Sequence, residues 1–160
     1  KEIYELKRPD EKFILSSGHA HLAHALVMGR EDMPAGIHCD KENGCDVSTG
    51  SLGMGWSIGA GLALANRDRK VCILGSDGEM SEGVCWEVLR IKSEIKIDNL
   101  EIHINCNGYG GYGEIDIDLL EKRVHAFCPD VIIHRTKIDD DILEKYPQLK
   151  GLAGHYATIK

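Results

Sequence analysis

The sequence has no apolar run long enough to span a bilayer, no Cys-x-x-Cys pair, no internal repeat and no low-complexity tract. Its first residues are charged and unlike a secretion signal. These absences argue against a membrane-spanning helix and favour the cytoplasm. An excess of positive charge is also missing. Nineteen Lys and Arg face 26 Asp and Glu, a net charge of −7, which argues against nucleic acid or an anionic membrane as partner. What is present is ordinary for a soluble globular chain. There are 160 residues, 42% hydrophobic and 28% charged, enough for one domain with a sizeable core. The cysteines are Cys39, Cys45, Cys72, Cys85, Cys106 and Cys128, three of them inside apolar or helical runs where buried free thiols are common. His38, Cys39 and Cys45 lie close in sequence, but their spacing fits no common zinc pattern.

The chain is organised around Val71 to Gly113. Val71-Cys72-Ile73-Leu74 reads as a buried strand of a parallel sheet, broken at its carboxyl end by Gly75-Ser76-Asp77-Gly78. Open α/β sheets put their ligands at that end. Ser81 is a candidate helix cap with Glu82 in the first turn. A helix over Glu82 to Ile95 would bury Val84, Val88, Leu89 and Ile95. Leu100 to Ile104 reads as the next strand, ending at Asn105-Cys106-Asn107. Neighbouring parallel strands end side by side, so Asp77 and Asn107 face one gap in this reading. A carboxylate and an amide oxygen are hard ligands that suit Mg²⁺ or Ca²⁺ rather than zinc. Two protein ligands leave coordination positions for diphosphate oxygens and water, and the helix start near Glu79 to Glu82 offers backbone N–H groups to the same anion. The plain alternative is an acidic strand-end loop with no ligand.

Asp77-Gly78, Glu82-Gly83, Glu87, Asn99-Leu100 and Asn107 together resemble the diphosphate-binding motif of thiamine diphosphate enzymes, most closely that of the transketolases. Ser76 stands where many members carry glycine, and Asn105-Cys106 where acidic residues are common. Further matches extend the resemblance over about Phe13 to Ile133. Ser17-Gly18-His19-Ala20 is similar to a family motif whose histidine reaches the substrate, which implies that role for His19 and none for His21 or His24, read as surface or core residues. Gly36-Ile37-His38 resembles a substrate-site loop and suggests a second substrate histidine, His38. Thr49-Gly50-Ser51-Leu52-Gly53 resembles the segment in which the backbone meets the aminopyrimidine ring and the leucine packs near the thiazolium, roles that fall to Gly50 and Leu52. By the same resemblance Asp77, Asn107 and the Tyr109 carbonyl hold the metal, Gly78 lies at the diphosphate, and Glu82 and Glu87 lie at a subunit interface near the activating glutamate of another domain. His155 is a weak candidate for a diphosphate contact.

The remaining chain reads as a helix over His19 to Met28 burying Leu22, Ala23, Leu26 and Val27, and a Gly/Ala-rich helix over Leu52 to Ala65. Interior glycine costs about 1 kcal/mol relative to alanine, so Gly59 and Gly61 need a reason; subunit-interface packing is the expectation and packing within the domain the alternative. A helix over Asp118 to Phe127 has Leu119, Leu120 and Val124 inward, Val131-Ile132-Ile133 forms a strand, and Asp139-Asp140-Asp141 is a solvated turn or helix start.

The resemblance implies a three-layer α/β/α domain over 1–160 with a central parallel sheet, the thiamine diphosphate-binding fold, shortened at both ends relative to the family and without a pyrimidine-binding domain. It implies ketol transfer between sugars or sugar phosphates with thiamine diphosphate and Mg²⁺ (or Ca²⁺). The partner would be a separate pyrimidine-domain transketolase subunit in an α2β2-type hetero-oligomer. Three alternatives stay open: a subunit of another thiamine enzyme of the 2-oxoacid dehydrogenase or deoxyxylulose phosphate synthase type, a non-catalytic regulatory relative, and a dinucleotide-binding Rossmann domain, suggested by Gly108-x-Gly110-x-x-Gly113 after a strand.

Overall fold

The computed structural model describes Tyr4, residues 7–30 and residues 38–154. Residues 34–37 of the substrate-loop motif and His155 lie outside the described residues. Four parallel strands form the central sheet in the order β1 (Lys12–Leu15), β2 (Val71–Ser76), β3 (Leu100–Cys106), β6 (Ile132–Arg135). A two-stranded hairpin, β4 (Tyr109–Gly110) and β5 (Gly113–Glu114), stands apart from it. The helices are α1 (His21–Val27), α2 (Met54–Ala65), α3 (Gly83–Glu94), α4 (Ile117–Phe127), α5 (Asp140–Lys145) and α6 (Gly151–Gly154). None among the described residues is long and apolar enough to cross a membrane.

The main core fills one face of the sheet. Side chains alternate across a strand, so Ile14, Val71, Ile73, Leu100, Ile102 and Ile104 point to α2, α3 and α4 and are buried with Trp56, Leu89 and Val124. Gly59 lies in this layer. A Cβ there would sit 2.6 Å from Ile73, so the helix packs on the strand at glycine distance. The interface expectation for Gly59 is thus replaced by packing within the domain, whereas a Cβ at Gly61 meets nothing within 4 Å. Asn99 donates its amide hydrogens to the carbonyls of Ala63, Asn66 and Arg69 at 2.8 to 3.0 Å, closing the carboxyl end of α2.

Several boundaries shift for local reasons. Helix α3 starts at Gly83 with Glu82 in the capping position, and the Ser81 hydroxyl instead donates to Gly78 O within a tight 3-10 turn. Ile95 does not enter the core. It follows the last helical residue at 50% exposure, Lys96 turns left-handed (φ 52°), and Ile97 takes the buried place. Val84 is only half-buried. In α4, capped by Asp116 accepting from Leu119 N, Leu120 and Val124 are buried but Leu119 is 43% exposed. The last strand begins at Ile132, one residue later than expected, and the aspartate run opens α5.

The second face over β1 and β2 carries Phe13, Leu15 and Cys72, covered by α1 and by Cys39 and Cys45 of the following loop. Here the expected face of α1 is reversed. His21, His24 and Ala25 are inward, at the i, i+3, i+4 spacing, while Leu22 and Leu26 are 53% and 66% exposed. The cause is the surface that α1 meets: the His24 ring lies 5.2 Å from Tyr4 and Phe13 and approaches the sulphurs of Cys39 and Cys45. Over β3 and β6 the same face is polar, with Glu101 paired to Lys70 and to His103, and His103 stacked on His134.

Candidate functional site

The site follows from sheet register. Ser76 is paired with Asn105, so the chain leaves β2 at Asp77 beside the point where β3 ends before Asn107. Asp77 N–H donates to Asn105 O at 3.0 Å, which locks the two strand ends together. The turn after β2 folds back, and Asp77 is left 2% exposed at the floor of a cleft of about 540 Å³. His19, Leu52, Asp77, Gly78, Asn107 and Tyr109 all border that cleft. They come from four separate stretches of chain.

Asp77 accepts one backbone N–H at each oxygen, Gly78 at 3.0 Å and Gly108 at 2.8 Å. Burial pushes its carboxyl above the ordinary aspartate range, and those N–H bonds oppose the push without cancelling it. The Asn107 amide oxygen accepts Tyr109 N–H at 2.9 Å. Each of these oxygens keeps a further lone pair. A buried carboxylate with a raised pKa beside a second oxygen donor gains most from a nearby divalent cation, and oxygen-only donors select hard ions. The residues therefore fit a hard divalent cation such as Mg²⁺ or Ca²⁺.

Glu79 organises the wall and was not singled out by the sequence. It is fully buried; Oε1 accepts the Ser16 hydroxyl at 2.5 Å and Gly53 N–H at 3.0 Å, and Oε2 accepts Ser76 N–H at 3.0 Å. One carboxylate thus ties the end of β1, the start of α2 and the end of β2. Gly53 itself is left-handed (φ 77°), and a Cβ there would lie 2.8 Å from Val84 and 3.2 Å from Glu82. The turn that presents Leu52 to the cleft requires glycine for both reasons. The signal in sequence was an acid two residues after Asp77, indistinguishable there from a solvated one.

Other candidate residues lie elsewhere. His38 is exposed, with its ring 3.6 Å from the place of a Cβ on Gly50, so those two residues meet each other outside the cleft lining. Glu82 precedes α3 as its capping residue, and Glu87, on α3, is paired with Arg90 at 2.6 Å. The glycine run Gly108 to Gly113 forms the β4–β5 hairpin, and α4 opens only at Ile117. A dinucleotide fingerprint needs its glycines at a strand-to-helix turn, so the hairpin argues against the Rossmann reading.

No protein-family model matches the chain. Among known proteins, human transketolase is 30% identical over 174 aligned positions, covering 93% of this chain and 27% of that protein. One of the subunits of apulose-4-phosphate transketolase from Actinobacillus succinogenes is 33% identical over 143 positions, covering 74% of this chain and 52% of that protein. The chain thus spans about a quarter to a half of the length of these relatives. Transketolase structures from Leishmania mexicana and Pichia stipitis superpose with TM-scores of 0.57 and 0.58 over 73% of this chain and 22% of theirs, at 22% and 24% identity, which establishes the fold. The parallel sheet, the strand-end cleft and these relatives lead to one conclusion: the chain belongs to the transketolase family of thiamine diphosphate proteins, as a member resembling their amino-terminal region.

Proposed function

We propose that the chain supplies the diphosphate-binding half of a transketolase-type active site, which transfers a ketol group between sugars or sugar phosphates with thiamine diphosphate and Mg²⁺. The observation that carries this reading is the convergence of Asp77 and Asn107 at adjacent strand ends, opposite His19 and Leu52, around one cleft. Asp77, Asn107 and the Tyr109 carbonyl hold the metal. Gly78 meets the diphosphate and Leu52 meets the ring end of the cofactor, while Gly50 is assigned to that ring end by its motif alone, since it lies outside the cleft lining. When bound, thiamine diphosphate supplies the nucleophilic carbon of its thiazolium. His19, exposed at the cleft mouth, receives the sugar and moves protons at its hydroxyl groups; His38 is assigned as a second substrate contact by its motif alone, since it lies outside the cleft lining.

The activating glutamate comes from a separate pyrimidine-domain subunit in an α2β2-type assembly. Glu82 and Glu87 face that interface and do not replace the glutamate. The Actinobacillus relative is named as one lettered subunit of its enzyme, which supports a two-chain arrangement. The test is direct. The purified chain with thiamine diphosphate and Mg²⁺ should show no ketol transfer, and adding the pyrimidine-domain chain should restore it. Transfer by the chain alone, with contaminating transketolase excluded, would overturn the two-chain reading.

A further inference from the structure

On the sheet face away from the main core, α1 and the loop after it bring together His21, His24, Cys39 and Cys45. We propose that His21, Cys39 and Cys45 bind a structural zinc ion, with His24 beside them. The ligand atoms of His21, Cys39 and Cys45 lie within 4.8 Å of one another, and His24 Nδ1 is 3.7 Å from Cys45 Sγ and 3.9 Å from Cys39 Sγ. Tetrahedral zinc with ordinary Zn–S and Zn–N bonds places nitrogen and sulphur about 3.6 Å apart. The two His24 contacts also fall within the range of sulphur hydrogen bonds. All four residues are more than nine-tenths buried.

The second observation is polar atoms without partners. Both ring nitrogens of His21 and Nε2 of His24 are buried with no hydrogen bond. Buried imidazoles left in that state are costly. A metal among these residues would take one His21 nitrogen and both sulphurs, with His24 Nδ1, which lies against the same two sulphurs, as the nearest further donor. The other cluster of ligand type, Cys72, Glu101 and His103, differs here. Its Glu101 is paired to Lys70 and His103, and His103 Nδ1 is 2.7 Å from His134 Nε2, so those groups already have partners.

The ligand positions are built by the local chain. His21 and His24 are one helical turn apart on the inward face of α1. Asp40 caps the tight turn Lys41–Asn43, Gly44 is left-handed (φ 89°), and Cys45 N–H returns to Asp40 O, which brings Cys45 back beside Cys39. Asp46 anchors this loop to β1 through Lys12 Nζ at 2.7 Å and Phe13 N–H at 2.9 Å. The site therefore does not depend on the ion for its outline. Its function follows from what flanks it. His19 is two residues before His21, and His38 immediately precedes Cys39. The ion cross-links the two segments that carry these histidines.

The test is metal content of the full chain purified from zinc-supplemented medium. About one zinc per chain is expected. Cys39→Ser with Cys45→Ser should lose it, while Asp77→Ala and Cys128→Ser keep it. Removing the ion from the unmodified chain should lower its Tm by about 5–10 °C. Because the double variant could unfold, Co²⁺ added to the metal-free unmodified chain provides the second reading. It should give a thiolate-to-cobalt charge-transfer band and the intense visible bands of a tetrahedral site. Zinc that is lost with Asp77→Ala but retained in the cysteine variant would overturn the proposal. So would a Cys39–Cys45 disulfide in protein prepared without oxygen, or cobalt spectra lacking the thiolate band.

Discussion

The strand-end cleft and the histidine–cysteine cluster lie on different parts of one small sheet and use opposite chemistry. The cleft offers oxygen donors already held by backbone N–H groups, on a wall open to solvent. The cluster offers nitrogen and sulphur, sealed among Phe13, Tyr4 and the sheet. Hard, partly filled donors suit an ion that arrives with its anionic ligand, whereas soft donors buried away from solvent suit a resident ion. The difference teaches that coordination type and closure separate an exchangeable site from a staple. Changes at the cleft should alter ligand binding and turnover; changes behind it should alter metal content and stability.

The largest effect expected at the cleft is from Asp77→Ala, which should abolish metal-dependent thiamine diphosphate binding in the assembled enzyme while the chain remains folded. Unchanged calorimetric affinity would remove Asp77 as a ligand. His19→Ala should keep cofactor affinity and lower turnover by about 10²–10⁴-fold, the range typical of a lost acid–base group. Ketol transfer at the parent rate would make His19 structural. Glu79→Ala should blur the comparison, because it serves the cleft but acts on the fold. It strands Gly53 N–H, Ser76 N–H and the Ser16 hydroxyl, at a cost of about 3 kcal/mol or more by urea unfolding. A loss below about 1 kcal/mol would show that water replaces the carboxylate.

A milder lever is pH. The Asp77 carboxyl is raised in the folded chain, so its protonated form is favoured there relative to the unfolded chain. The metal-free protein should therefore gain stability as pH falls through that raised value toward the ordinary aspartate range. Over the same window the ionised ligand is lost, and Mg²⁺-dependent cofactor affinity should weaken in milder acid than an exposed aspartate requires. Affinity and Tm followed together against pH check both signs; a Tm that falls while affinity holds would contradict them. The smallest effect is expected from Asn99→Ala, about 1–2 kcal/mol through the uncapped carbonyls of α2, with cofactor affinity unchanged. A loss of affinity there would join the end of α2 to the cleft.

The repeating apolar pattern of β2, α3 and β3 was legible because strand and helix periods determine which side chains turn inward. The Asp77 and Asn107 positions at those strand ends followed from it, as parallel neighbours end together. The short β1 is not legible as a strand, since four residues carry too little periodicity to be told from a loop. The face of α1 was not legible, because leucines and histidines offer two competing stripes and only the surface beneath the helix chooses between them. Glu79 and the His21, His24, Cys39, Cys45 group were hidden for a related reason. Their meaning rests on contacts between segments far apart in the chain, and spacing along the sequence says nothing of how a loop such as 38–46 folds back over a helix. Sequence alone determined the α/β order and the chemistry offered at the strand ends. Tertiary packing decided which polar side chains are buried, because burial depends on the surface each one meets.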